Sequence, residues 1–468
     1  MATDGLSRRQ VLAQASAGAA LGLSPTATAA ARRGRSARPN ILFILADDLG
    51  YADLSCYGRE DYATPHLDGL ALDGLKLSQA YANSSVCSPT RLALITGRYQ
   101  YRLPAGLDEP LGRNLALGLP PGAATLPSRL RDLGYATGLV GKWHLGILPD
   151  FGPLKSGYDR FFGSYGGGVD YFTHALTIRG VDTPDLFDGE TAVKRNGYLT
   201  DMLTDRAIDE LTRFAAGDAP FLLSLHYTSP HWPWEGPQDA AVATSIRDSF
   251  HYDGGSAKTY AEMVTNLDGN IGRVLQTLSH LKLAEDTIVI FTSDNGGERF
   301  SKNWPFTGMK GELLEGGIRV PALVRWPRRI RAGGTSAQVT ASMDWLPTLL
   351  AAAGAPLSDP AATDGISILP MLTGEGPPTP RTLFWRHKAN DQSAMRDGDL
   401  KYLKLGGHDY LFDVVADPRE RGNLKTHQPE RFAAMKQAFE SWNRTMLPYP
   451  ADAFSYDFHG KGTVADRY

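Results

Sequence analysis

Four stretches of this chain share one design, and it leaves few folds open. "PNILFILADDLG" holds an unbroken apolar run, Ile41 to Leu45, followed by Asp47 and Asp48. "APFLLSLHYTSPHW" repeats it, with Phe221 to Leu225 ahead of His226 and, past a turn, His231. "DTIVIFTSDNGG" carries Ile288 to Phe291 and then Asp294 and Asn295, while the shorter "GYATGLVGKWHLG" ends in Lys142 and His144. Apolar runs without polar alternation suit strands covered on both faces. Helical patterns lie between them, one over Tyr198–Ala216 and another with Val264, Leu267, Ile271, Val274 and Leu278 at i, i+3, i+4 spacing. Strands alternating with helices predict an α/β fold built on a large, mostly parallel or mixed central sheet flanked by helices. Ligands in such sheets bind beyond the carboxyl ends of the strands, so the four polar strand ends are candidates for one site.

The rest of the chain divides around a linker. "TGEGPPTPR", Thr373 to Arg381, is rich in proline, glycine and polar residues. Beyond it "RTLFWRH", "LKYLKL" and "DYLFDVV" read as short strands, followed by a helix over Glu430–Trp442. These predict a smaller antiparallel sheet with one helix, and a division into a catalytic part, 38–375, and a C-terminal subdomain, 376–468. At the other end Arg8 and Arg9 precede a weakly apolar run, Val11 to Leu23, and then small residues, Ala27 to Ala31. This looks like a twin-arginine export signal over residues 1–31, with an amphipathic first helix as the plainer reading. No other apolar stretch is long enough to span a bilayer. The expected product is exported by the twin-arginine machinery, periplasmic or extracellular, with no membrane span in the mature chain. A net charge of −3 argues against nucleic acid as a partner. Export permits disulfides, and with Cys56 and Cys87 the only cysteines, one bridge and two free thiols are both open.

Asp47, Asp48, Asp294 and Asn295 would bring three carboxylates and a side-chain carbonyl together. They would repel unless a cation held them, and an all-oxygen set suits a hard ion, Ca²⁺ or Mg²⁺. Taken singly, each pair also reads as turn or helix-cap residues. Lys142 and His144 are two apart and would face one side of an extended segment. His231 in "PHWPW" and Lys310 in "TGMKGELLEGGIRVP" could join them in a cage for a small tetrahedral anion, although each alone reads as an ordinary surface or packing residue. In "CSPTRLALITGRY" Pro89 suits a first helical turn and Gly97 a far-end cap. Cys87 would then stand at a helix N-terminus, where backbone N–H groups attract anions. A buried, inert thiol is the alternative.

With C-x-P-x-R, an apolar stretch and T-G-R in hand, the sequence resembles the sulfatase family: formylglycine-dependent, arylsulfatase-like enzymes of the alkaline-phosphatase-like superfamily. "ILADDLGYADLSCYG", "GYATGLVGKWHLG", "PHWPW", "FTSDNGG" and "KGELLEGGIRVP" agree with it. The resemblance runs from Pro39 to Pro356 and continues weakly in "YLFDVVADPRERGNL". It implies that a maturation enzyme oxidises Cys87 to Cα-formylglycine, whose hydrate is the nucleophile, and that Cys56 stays a free, buried thiol. It implies one Ca²⁺, Mg²⁺ being the lesser fit, held by Asp47, Asp48, Asp294, Asn295 and the modified Cys87. Arg91 would hold the hydrate. Lys142, His231 and Lys310 would grip the sulfate, His231 or Lys310 would protonate the leaving alcohol, and His144 would be the base that releases sulfate. Glu298, Tyr171 and His174 are candidates for the substrate pocket. The implied activity is hydrolysis of a small sulfate monoester, aryl or carbohydrate. A phosphonate or phosphodiester hydrolase of the same superfamily, and an exported non-catalytic binding protein, are the rival readings.

Overall fold

The apolar runs are neighbouring strands. A computed structural model describes Met1 and residues 38–249, 254–357, 359 and 362–457; the export-signal reading, Met1 apart, lies outside the described residues. Numbered along the chain, the strands among these residues are β1 (Asn40–Ala46), β2 (Leu75–Tyr81), β3 (Ala136–Gly141), β4 (Arg160–Gly163), β5 (Ala175–Ile178), β6 (Val181–Pro184), β7 (Phe187–Asp188), β8 (Thr191–Ala192), β9 (Phe221–His226), β10 (Thr287–Ser293), β11 (Arg319–Arg325), β12 (Gly334–Ser336), β13 (Thr340–Ala341), β14 (Thr382–His387), β15 (Gln392–Asp397), β16 (Leu400–Leu405) and β17 (His408–Asp413). The large sheet runs β12-β2-β11-β10-β1-β9-β3-β4-β7-β8, with β13 also on β2. Its centre, β10-β1-β9-β3-β4, is parallel. The strand β11 is antiparallel to both its neighbours, so the sheet is mixed, as the sequence predicts.

Both faces of this sheet are covered, which is why its strands lack polar alternation. Ile41, Phe43 and Leu45 join one core with Leu126, Leu130, Trp345 and Leu349. Leu42, Ile44 and Ala46 join the opposite core with Leu203, Leu211, Val264, Leu267 and Ile271. Burial of each such Leu or Ile contributes roughly 1.5–3 kcal/mol. The two helical patterns become helices Leu199–Ala215 and Ala257–His280, the second opened by Ser256, whose side chain accepts from Thr259 N–H. Register then aligns the strand ends. Ala46 pairs with Ser293, Leu45 with His226, and Gly141 with His226. The residues that follow, Asp47, Lys142 and Asp294, therefore leave the sheet along one edge.

The smaller sheet is antiparallel in the order β14-β15-β16-β17, and Met435 and Phe439 of the helix Pro429–Asn443 pack against it. Only β15, "QSAMRD", escapes the sequence reading. It has no apolar pattern because two of its buried side chains are polar and serve the contact with the rest of the fold. Gln392 accepts from Leu313 N–H at 2.9 Å and donates to Gly311 C=O at 2.8 Å. Arg396 donates to Tyr81 Oη and Gln79 Oε1. Trp385 of β14 donates to Ala82 C=O at 2.9 Å.

Candidate active site

Cys87 opens a helix, Cys87–Thr96, whose ten residues are all buried. Pro89 lies in its first turn and Gly97 caps it in the left-handed region, at φ 68°. Neither cysteine is in a disulfide. Cys56 is only partly buried, and burial together with Asp68 pushes its thiol up to about 12. Burial raises the Cys87 thiol as well, against the pull of Lys142 and Lys310.

The acidic strand ends meet beneath Cys87. Asp48 leaves β1 with φ 62°, a left-handed step rare for a residue with a side chain. That step lets two adjacent aspartates serve one site. Ligand atoms of Asp47, Cys87 and Asp294 lie within 4.8 Å of one another, and so do those of Asp47, Asp48 and His231. Asn295 donates to Asp48 Oδ1 at 2.8 Å. Buried polar atoms nearly always have partners, yet Asp47 Oδ1 and Asn295 Oδ1 in this cluster accept no hydrogen bond. Burial and the neighbouring Asp294 hold the Asp47 carboxyl well above the usual carboxylate range, with Lys142 and Arg91 pulling the other way. Two orphan acceptors among three carboxylates are the environment a hard divalent cation satisfies.

Positive groups close the cluster. Arg91, one turn beyond Cys87, reaches Asp294 Oδ2 with Nε at 2.9 Å and Nη2 at 2.8 Å, and Nη2 lies 3.6 Å from Asp47 Oδ1. Lys142 Nζ is 2.6 Å from Asp47 Oδ2, and Lys310 Nζ is 2.6 Å from Asp48 Oδ2 and 3.7 Å from Glu298 Oε2. Burial works against the Lys310 charge, but Asp48 and Glu298 outweigh it and hold the ammonium above the usual lysine range. Both histidines have a tautomer set by a backbone carbonyl. His144 Nε2 donates to Leu111 C=O at 2.9 Å, leaving Nδ1 as a lone pair without a hydrogen-bond partner. His231 Nδ1 donates to Trp232 C=O at 2.7 Å, leaving Nε2 at 3.6 Å from Asp48 Oδ2. Burial, then Lys142, depresses His144; burial, then Lys310, depresses His231; both are neutral at neutral pH.

Two expectations change in detail. Lys142 and His144 do not share a face through strand alternation, because β3 ends at Gly141 and His144 takes a left-handed φ of 58°. Lys142 is fully buried against Asp47, whereas Cys87, His144, His231 and Lys310 line an open cavity of about 330 Å³. Its walls are Pro110 to Arg113, Gly167, Gly168, Leu176, Ile178, Trp232, Phe454 and Tyr456. Of the three pocket candidates none is in this lining. Tyr171 donates to His231 C=O at 2.9 Å, His174 Nε2 faces Gly197 C=O at 3.1 Å, and Glu298 sits beside Lys310. The glycine run in "SYGGGVDYFTH" is the signal that points to the true wall. A Cβ on Gly167 would fall 2.4 Å from His144 Cε1, and one on Gly168 3.2 Å from His231 Cε1.

A buried cluster of this kind, at the carboxyl edge of a mixed sheet and open to a cavity, is suited to binding a cation and a small tetrahedral oxyanion together. The comparisons narrow the class. The sulfatase family profile matches residues 39–355, and the profile described as N-sulphoglucosamine sulphohydrolase, C-terminal, matches 309–442. Human (Homo sapiens) arylsulfatase A is 35% identical over 84% of this chain and 80% of its own length. Mouse (Mus musculus) arylsulfatase J is 31% identical over 89% of this chain and 78% of its own. Among solved structures, Ps i-CgsB in complex with k-i-k-neocarrahexaose superposes with a TM-score of 0.80 at 30% identity, covering 92% of this chain and 97% of that one. The chain belongs to the sulfatase family and is a sulfuric ester hydrolase. Among the described residues, no helix is long and apolar enough to cross a membrane.

Proposed function

We propose that the protein hydrolyses small sulfate monoesters, aryl or carbohydrate, to alcohol and inorganic sulfate, with Cys87 in its formylglycine form and one bound Ca²⁺. The observation that carries this reading is the placement of Cys87: first residue of a buried helix, within 4.8 Å of ligand atoms of Asp47 and Asp294, on a cavity it shares with His144, His231 and Lys310. The hydrated aldehyde supplies a nucleophilic hydroxyl and a second, geminal hydroxyl through which sulfate can be expelled. Asp47, Asp48, Asp294 and Asn295 would hold the ion, with position 87 completing the set; when bound it supplies Lewis-acid polarisation and favours a deprotonated hydroxyl.

The remaining work falls to this chain's own groups. Arg91 keeps a positive charge against Asp47 and Asp294 and orients the side chain one turn before it. Lys310 and His231 bind sulfate oxygens from the cavity wall, Lys310 through a charge-assisted bond, and Lys142, buried against Asp47, adds positive charge to the site. His231 or Lys310, both on the cavity wall, protonates the departing oxygen. His144 takes up a proton at Nδ1 when sulfate leaves, its Nε2 fixed on Leu111 C=O. Residues 1–31 act as the twin-arginine signal, so the reaction takes place outside the cytoplasm after a maturation enzyme has acted.

Peptide mass spectrometry at position 87, combined with turnover of a chromogenic aryl sulfate, tests this. Formylglycine should be present in the active protein, and Cys87→Ser, which offers a single hydroxyl, should give no sustained turnover. Turnover by Cys87→Ser near the parental rate would overturn the proposal.

A further inference from the structure

The outer cavity wall includes a segment that reaches the site from the far end of the chain. After the helix Pro429–Asn443 the backbone returns across the mouth of the cavity, and residues 449–457 lie along the loop "LPAGLDEPLGRN". Glu109 of that loop is fully buried and holds them. Its Oε2 accepts from Ser455 Oγ at 2.9 Å and from Lys388 N–H at 2.8 Å, and its Oε1 accepts from Tyr449 Oη. Its backbone pairs on both sides: Glu109 N–H donates to Phe454 C=O at 2.9 Å, and Tyr456 N–H donates to Glu109 C=O at 2.8 Å. Lys388 Nζ adds bonds to Pro450, Ala451 and Ala453 carbonyls at 3.1, 3.0 and 2.6 Å. A terminal segment with this many fixed bonds is a structural wall and not a loose tail.

The wall is apolar. Phe454 and Tyr456 line the cavity together with Leu176, Ile178 and Trp232. Phe454 is 46% and Ile178 44% exposed, so two large apolar side chains at this mouth stand in water until something covers them. Arg113, the charged residue of the outer wall, is paired with Asp185 at 2.9 Å. A sugar ring carries hydroxyls that lose water on entry and need partners in return, whereas a flat or cyclic hydrocarbon does not.

We propose that residues 449–457, clamped by Glu109, form a specificity element that makes the leaving-group side of the site apolar, so that the enzyme prefers sulfate esters of apolar ring alcohols to sugar sulfates. The inference rests on the hydrolase reading above. Phe454 and Tyr456 contact the alcohol portion; Glu109 is a positioning residue that acts through them.

Cyclohexylmethyl sulfate and a hexose 6-sulfate test it, since both are primary alkyl esters carrying a six-membered ring and differ chiefly in hydroxyl groups. A chromogenic aryl sulfate serves as the control for activity. The parent enzyme should favour the cyclohexylmethyl ester by about tenfold or more in kcat/KM. The double variant Phe454→Ala, Tyr456→Ala should lose most of that preference, KM for the cyclohexylmethyl ester rising by more than KM for the hexose 6-sulfate. Phe454→Leu should keep the preference. Glu109→Gln should speed hydrogen exchange over 449–457 and shift selectivity in the same direction as the double variant. Preference of the parent for the hexose ester, or an equal loss on both esters in the double variant, overturns the inference while leaving the hydrolase reading intact. Absence of sulfate release from all three esters overturns both.

Discussion

Gly167→Ala is the sharpest test of how His144 is held. A Cβ at this position would lie 2.4 Å from His144 Cε1, 2.6 Å from Nε2 and 3.1 Å from Nδ1. Ordinary contacts between such atoms are about 3.5–4.0 Å, so loop and ring must part by about 1 Å. The loop is tied back, because Asp185 accepts from Gly166 N–H at 2.7 Å and from Tyr165 N–H at 3.1 Å. The ring is therefore the part expected to move, which disturbs the 2.9 Å bond to Leu111 C=O that fixes its tautomer. Misplacing a catalytic group by about 1 Å costs on the order of 100-fold in rate, or about 2.7 kcal/mol. Gly167→Ala should accordingly lower kcat for an aryl sulfate by about 100-fold with a melting temperature close to the parent's. In a His144→Ala background the same substitution should add almost nothing, since the group it displaces is gone. A folded Gly167→Ala enzyme with kcat within about threefold of the parent would refute the argument. So would an undiminished loss in the His144→Ala background.

Two further predictions concern stability. Ca²⁺ added to metal-stripped protein at about 100 times its dissociation constant should raise the melting temperature by a few degrees, because ligand binding to the native state then contributes about 2.7 kcal/mol. Asn295→Ala removes an orphan acceptor without breaking the Arg91–Asp294 pair and should shrink that rise; calorimetry with and without Ca²⁺ measures both, and no rise in the parent would exclude the assigned site. Glu235 is pushed up to about 9 by burial and then by Asp170, so the native state keeps a proton that the unfolded chain gives up at an ordinary carboxyl pKa of about 4.3. Stability must therefore fall as pH rises between those values. Glu235→Gln should melt with the parent near pH 4.5 and above it at pH 8; a gap that does not widen with pH would refute the assignment.

Much of this fold and site is legible in sequence, for a physical reason. Strands buried on both faces announce themselves as apolar runs, and parallel register then brings their ends together without any further signal. Asp47, Asp48, Asp294 and Asn295 could be placed on one edge from that logic alone. Recognisable helix ends could place Cys87 at a helix N-terminus, whereas its chemistry and the role of Arg91 came only from the resemblance to the sulfatase family. What stayed hidden depends on contacts between distant segments. Nothing in "QSAMRD" announces a strand, because Gln392 and Arg396 exchange apolar pattern for polar contacts with distant segments. Phe454 and Tyr456 become pocket residues only because Glu109, more than three hundred positions earlier, holds them there. Tyr171 and His174 were drawn in by their loop, yet their polar atoms face backbone carbonyls, and it is the glycines beside them that shape the cavity.

The burial of the Cys87 helix also bears on the order of events in biosynthesis. Cys87 is 2% exposed and is flanked on the helix by residues that are all interior. A second enzyme that must grasp the peptide around position 87 finds no accessible backbone there once the chain has folded. On the formylglycine proposal, oxidation of this cysteine therefore belongs to the nascent or unfolded polypeptide. The twin-arginine route carries proteins already folded, so a chain exported that way has to be chemically finished before it leaves. On the same proposal folding acts as a deadline: a molecule that collapsed before an oxidising enzyme reached it would be well-formed yet permanently without its nucleophile.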